Sequence, residues 1–164
     1  MRPFRRKGDE FVARLVDAEA SIVGLLLDQL EQLLAVDAID AGGDPVLARL
    51  LPAGSRDPEV AADYRDLTEA GLRGGKADDI ALVRATLPPD GGEVRLDAEQ
   101  ARAWLRTTND LRLALGTRLG VTAETEPPVD TAGEEGSQLA VYYWLTAVQG
   151  SLLDALVAGR GGRR

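Results

Sequence analysis

The groups able to do chemistry in this chain are guanidiniums, carboxylates and hydroxyls, because its 164 residues include no His and no Cys. Those absences exclude a Ser/His or Cys/His nucleophile pair, an imidazole proton shuttle, a disulfide, and zinc held by imidazole or thiolate. Ser21, Ser55, Ser137 and Ser151 are left with carboxylates as their only bases and lack the spacing of a nucleophile elbow, so serine catalysis is not expected. Gly-Leu-Arg-Gly-Gly-Lys at 71–76 lacks the spacing of a phosphate loop and reads as a helix interruption or exposed turn.

Four constellations remain. On a helical wheel of about 100° per residue, Ala101, Trp104, Leu105, Thr108, Leu111, Leu115 and Leu119 share one face with Arg112, whereas Arg102, Arg106 and Asp110 point away. A guanidinium facing a core keeps its proton and needs acceptors. Arg112 is therefore expected to be a structural tie to Asp37, Asp66 or Glu69, with an anion pocket as the functional alternative. Gln149, at the edge of the last apolar face, reads as a satisfied core amide, and Gly116 as a site of close helix packing.

Glu59, Asp63, Asp66 and Glu69 fall on one helical face, and Asp28 and Glu31 form a second acidic pair. Facing carboxylate rows can hold magnesium, as in all-α nucleotide pyrophosphohydrolases. The row is also the polar side of an amphipathic helix with no basic or Gly-rich phosphate cradle beside it, so no metal and no cofactor are expected. Arg2, Arg5, Arg6 and Lys7, with Arg14 behind, make the one dense basic cluster. Displayed on a hairpin it could contact an acidic partner or nucleic acid, although edge strands carry such charges simply to prevent aggregation. Tyr142-Tyr143-Trp144 must send at least one ring away from the Val141/Leu145 stripe, onto the sheet or toward a partner.

The elements that must position these groups follow from pattern. Phe4 to Lys7, Gly8-Asp9 and Glu10 to Leu15 read as a hairpin. Asp17 is the expected N-cap of a helix over 17–40, whose wide stripe from Ile22 to Leu34 makes it the central core helix. Asp44-Pro45 opens a short helix stopped by Pro52, and Asp57-Pro58 opens one to about Leu72. Gly74-Gly75 is expected to break that helix before a second piece carrying Ile80, Val83 and Leu87. A strand at 93–96 needs a partner, which only the hairpin offers, and Asp97 with Gln100 forms a capping box for a helix over 97–119. The acidic stretch 121–136 reads as an exposed, flexible loop before a helix at about 136–158, followed by a mobile Gly/Arg tail at 159–164. The expectation is one domain over 1–158, of α+β class and mainly α: a helical bundle around a long helix, with a small sheet.

Charge and composition narrow the function. With 45% apolar and 28% charged residues the chain is built to fold, and 19 basic against 27 acidic groups give a net charge of -8. That balance disfavours nucleic acid as a partner. The basic groups are Arg except for Lys7 and Lys76, a skew read as genomic base composition. No apolar run suits a membrane span and no signal peptide is evident at the N-terminus, so a cytoplasmic protein is expected.

Several segments together resemble one family. They are Arg2-Pro-Phe-Arg-Arg-Lys-Gly, Asp44-Pro-Val-Leu-Ala-Arg-Leu-Leu-Pro, Asp63-Tyr-Arg-Asp-Leu-Thr-Glu-Ala-Gly-Leu-Arg, the stretch from Trp104 through Asn109 to Gly120, and Val141-Tyr-Tyr-Trp-Leu. In that order they are similar to an actinobacterial family of unknown function encoded beside the Clp protease adaptor. The resemblance implies a small regulatory protein. Some members are described as AosR-like oxidative-stress transcription regulators acting through a sigma factor on cysteine-biosynthesis genes. It defines no catalytic residue, and without Cys no thiol sensing attributed to relatives can operate here. The expected function is therefore non-catalytic regulation through protein contacts. A sigma factor, RNA polymerase or Clp component is the implied partner, and homodimerisation stays open. The alternatives are the magnesium-dependent pyrophosphohydrolase and a direct DNA-binding regulator. The candidate contact or structural residues are Arg2, Arg5, Arg6, Asn109, Asp110, Arg112, Tyr143 and Trp144.

Overall fold

The structure, a computed structural model, describes residues 1–35, 44–50 and 58–161, with side chains described outside 58–70 and 159–161. Strands β1 (Arg2–Lys7) and β2 (Glu10–Leu15) form the hairpin, and β3 (Gly92–Leu96) completes an antiparallel sheet in the order β1-β2-β3. Gly8, the first central residue of the turn, takes φ 65° and Asp9 does not turn positive, the pattern of a two-residue II′ hairpin turn. Counting back from that turn pairs Lys7 with Glu10, Arg6 with Phe11 and Arg5 with Val12. The register then slips, so that Arg2 faces Arg14. The slip falls at Pro3-Phe4, where proline has no N–H for the ladder. The Phe4 N–H donates instead to Ser151 Oγ at 3.2 Å.

The helices are α1 (Asp17–Ala35), α2 (Pro45–Leu50), α3 (Pro58–Thr86), α4 (Ala98–Leu119) and α5 (Glu134–Gly161). The class is α+β and mainly α, as expected. In α1 the cap is Val16 rather than Asp17: the Ala20 N–H donates to Val16 O, and the Glu19 carboxylate accepts from Val16 N. The expected end of this helix near 39–40 and the Pro52 stop lie outside the described residues. Asp44 caps α2, accepting from Val46 N at 2.8 Å. Gly74-Gly75 does not interrupt α3, which is continuous over 29 residues. Two glycines cost about 1 kcal/mol each in a helix, and tertiary anchors outweigh them on both sides. Arg73 reaches the Leu34 carbonyl of α1, Lys76 pairs with Asp110 of α4, and Ile80 and Val83 are buried.

Helix α4 carries the expected capping box, with Asp97 accepting from Gln100 N and Gln100 accepting from Asp97 N, and it ends at Gly120 in the left-handed region, φ 67°. It touches each of the other four helices and two strands, so the central helix is α4, while α1 covers the core with one face and leaves Leu25 59% exposed. The wheel of apolar residues missed this because much of α4's buried surface is made of small groups, Ala101, Ala103, Thr107, Thr108, Ala114 and Gly116, which let neighbouring backbones approach closely. The core joins the inner face of the sheet (Phe4, Phe11, Ala13, Leu15, Val94, Leu96) to Leu27, Leu30, Trp104, Leu145 and Leu152. Among the described residues, no helix is long and apolar enough to cross a membrane.

Candidate interaction surface

The candidate residues fall into three separate places. The first is the hairpin. Alternation along β2 sets Arg14 on the outer face with Val12, which lies opposite Arg5, and the register slip at Pro3-Phe4 brings Arg2 to that face while Phe4 turns inward. Arg2, Arg5 and Arg14 are exposed. Arg6 is drawn off to the turn, where its Nε donates to Gly8 O at 2.7 Å and a terminal nitrogen lies 3.8 Å from Asp9. Between the three remaining guanidiniums the outer face of the sheet holds an open groove of about 310 Å³, lined by Arg2, Pro3, Arg5, Val12, Arg14 and Glu93. Glu93 is engaged by Arg95 at 2.6 Å, and Arg95 also takes Glu10, so these two carboxylates raise the pKa of that guanidinium, Glu10 most.

The second place is the α4–α5 seam. Arg112 donates to Gln149 Oε1 at 2.9 Å, the Gln149 amide donates to Asn109 Oδ1 at 3.3 Å, and the guanidinium lies 5.8 Å from the centre of the Tyr142 ring. The expected carboxylate partner is thus replaced by an amide and a π face; Asp37 and the side chains of Asp66 and Glu69 lie outside the described residues. The Nε of Arg112 is buried without an acceptor. Gly116 is what lets the seam close, since a Cβ there would stand 2.8 Å from the Tyr142 ring. Tyr143 donates to Thr125 O at 2.7 Å and so ties α5 to the acidic connection that precedes it. Trp144 is half-buried against the core, its indole N–H buried and unpartnered. Of the three rings, none is fully exposed.

The third place is the α3–α4 contact. Asp110 does not point away as the wheel implied. It is 8% exposed and meets Lys76 Nζ at 2.8 Å. Burial pushes its carboxyl pKa up, against the lowering effect of the ammonium. The wheel failed because it scored apolar faces only; the signal available was Lys76 itself, one of two lysines in an Arg-rich chain and the more pliable cation for a partly buried pair. Arg102 and Arg106 do point outward, and Arg106 holds Asp79 through two bonds of 2.8 Å.

Of the acidic groups considered for magnesium, Asp28 and Glu31 are both taken by Arg84 of α3, at 2.6 and 2.9 Å. The side chains of Glu59, Asp63, Asp66 and Glu69 lie outside the described residues. Among the described residues no group of three or more acidic side chains is placed to hold a metal.

Comparison with known proteins gives a family and named relatives. The profile of a domain of unknown function, DUF2017, matches residues 1–156. The oxidative stress regulator AosR of Mycobacterium tuberculosis (strain H37Rv) and that of Mycobacterium bovis are each 29% identical over 187 aligned positions, covering 94% of this chain and 86% of the relative. A Mycobacterium leprae protein named for the same role is 32% identical over 172 positions, covering 90% of this chain and 79% of its own. No solved structure matches.

Proposed function

The chain belongs to the DUF2017 family, and from that premise we infer that it is a stress-linked regulator that works by contacting another protein. The observation that carries the reading is the length of the match: relatives named oxidative stress regulators align over nine-tenths or more of this chain. The geometry supports contact rather than turnover. Arg112 is spent on Gln149 and Tyr142, Asp110 on Lys76, and Asp28 and Glu31 on Arg84. Among the candidate residues, Arg2, Arg5 and Arg14 on the outer face of the sheet stay open to a partner. A cytoplasmic sigma factor or RNA polymerase is the first partner to seek, with Clp components second. The input cannot be a thiol of this chain, which has none, so regulation needs another input, such as a partner's abundance or a ligand near Arg112.

The test is affinity capture with the intact, tagged chain from its native cells, before and during peroxide challenge. A stoichiometric transcription or Clp component, reproduced with purified proteins, is the expected result. Turnover of a nucleotide by the pure chain, abolished by a chelator, would overturn the reading in favour of the hydrolase.

A further inference from the structure

The outer face of the hairpin carries charge that the fold leaves unused. Arg2 and Arg14 are direct cross-strand partners, and both are exposed. Like charges directly opposite one another in antiparallel strands destabilise the pair. Arg5 stands on the same face, opposite Val12. Among the described residues Arg2, Arg5 and Arg14 have no ion pair. The groove of about 310 Å³ lies between them. Its lining includes Val12, which is 6% exposed and stands on the outer face in register between Arg5 and Arg95, together with Phe4 and Ala13. Glu93 on the rim is paired with Arg95, which it shares with Glu10.

The geometry points to a docking groove for an acidic segment of a partner protein, two or more neighbouring Glu or Asp side chains whose carboxylates take the forks of Arg2, Arg5 and Arg14. This rests on the regulatory reading above and names the chemistry of its partner. Guanidinium forks match carboxylates in bidentate pairs, and an apolar lining suits the methylene stem of a Glu. A nucleic acid fits less well. Its charge continues past the groove, where it meets a chain of net charge -8.

The experiment uses the full chain and a fluorescein-labelled hexaglutamate peptide, read by anisotropy at low and at physiological salt. The double variant Arg5→Gln, Arg14→Gln is expected to weaken binding at least tenfold without lowering the melting temperature, while Arg102→Gln, an exposed arginine on α4, changes it less than twofold. If the double variant does not fold, Arg5→Lys and Arg14→Lys keep the charge but lose the fork, and each is expected to weaken binding about threefold. Absence of peptide binding at low salt, or an equal loss with Arg102→Gln, overturns the proposal. So does tighter binding of a twelve-residue oligothymidylate lost in the same variants, or self-association that the double variant abolishes. A purified partner bound equally by wild type and double variant removes the groove but leaves the regulatory reading standing. The groove and the reading fall together if no partner is captured at all.

Discussion

Asp110 shows how one side chain couples burial to charge. Its carboxylate is held inside the α3–α4 contact by Lys76 at 2.8 Å, and burial still raises its pKa above the ordinary carboxylate value. A raised carboxyl pKa means that the folded state keeps its proton to a higher pH than the unfolded chain does. The contribution of this group is therefore most favourable below the ordinary value of about 3.9 and declines as pH rises through the window up to the folded value. Lys76→Met removes the one cation that opposes this. We expect it to destabilise the protein by about 2–3 kcal/mol at pH 7, the range for breaking a charge-assisted bond at a mostly buried group. The loss should shrink as pH falls through the acidic range, because protonated Asp110 needs no cation. Denaturant titrations of wild type and variant at pH 4, 5.5 and 7 check this, and a loss that does not change with pH would refute it.

Among the elements, α3 is where local preference and tertiary packing disagree most. Gly74 and Gly75 have open space where a Cβ would be built, so neither glycine is kept for room. Each lies inside a continuous helix. Gly74→Ala and Gly75→Ala should each raise stability by about 0.5–1 kcal/mol, visible as a higher denaturation midpoint. An interrupted helix would show a loss instead. Helix α4 shows the opposite case, in which local and global signals agree. Its capping box and Gly120 are both present, and Asp97→Ala should cost about 1 kcal/mol through the lost N-cap.

At the scale of the whole molecule, the sheet and the helices are one structure because Phe4 crosses between them. Its ring meets Trp104 edge-on at 5.7 Å between centroids, and its N–H donates to Ser151 of α5. Trp104 in turn donates to Thr86 at the end of α3. Phe4→Ala should destabilise the protein by about 3–5 kcal/mol, the range for emptying a buried phenylalanine site. Thermal unfolding should stay a single transition at a lower midpoint, and an unchanged midpoint would show that the hairpin is only an appendage. The same hairpin presents Arg2, Arg5 and Arg14 on its other face, so the residue that locks the sheet to the core also sets how rigidly the groove is held.

The amino-acid order by itself determined the elements whose causes are local. The Gly8-Asp9 turn, the Asp44-Pro45 start, the capping box at Asp97 and the stop at Gly120 act within a few residues of one another, and hairpin, third strand and α4 follow from them. Missing His and Cys likewise removed whole classes of chemistry before any fold was known. What only the tertiary structure decided depends on neighbours distant in sequence. Anchors from α1 and α4 carry α3 through two glycines. The partners of Arg112 and Asp110 lie 37 and 34 residues away along the chain. The slip at Pro3-Phe4 sets Arg2, not Pro3, opposite Arg14, because Phe4 must turn into the core and proline cannot serve the ladder. Packing, by overriding a regular register at one residue, placed two arginines side by side.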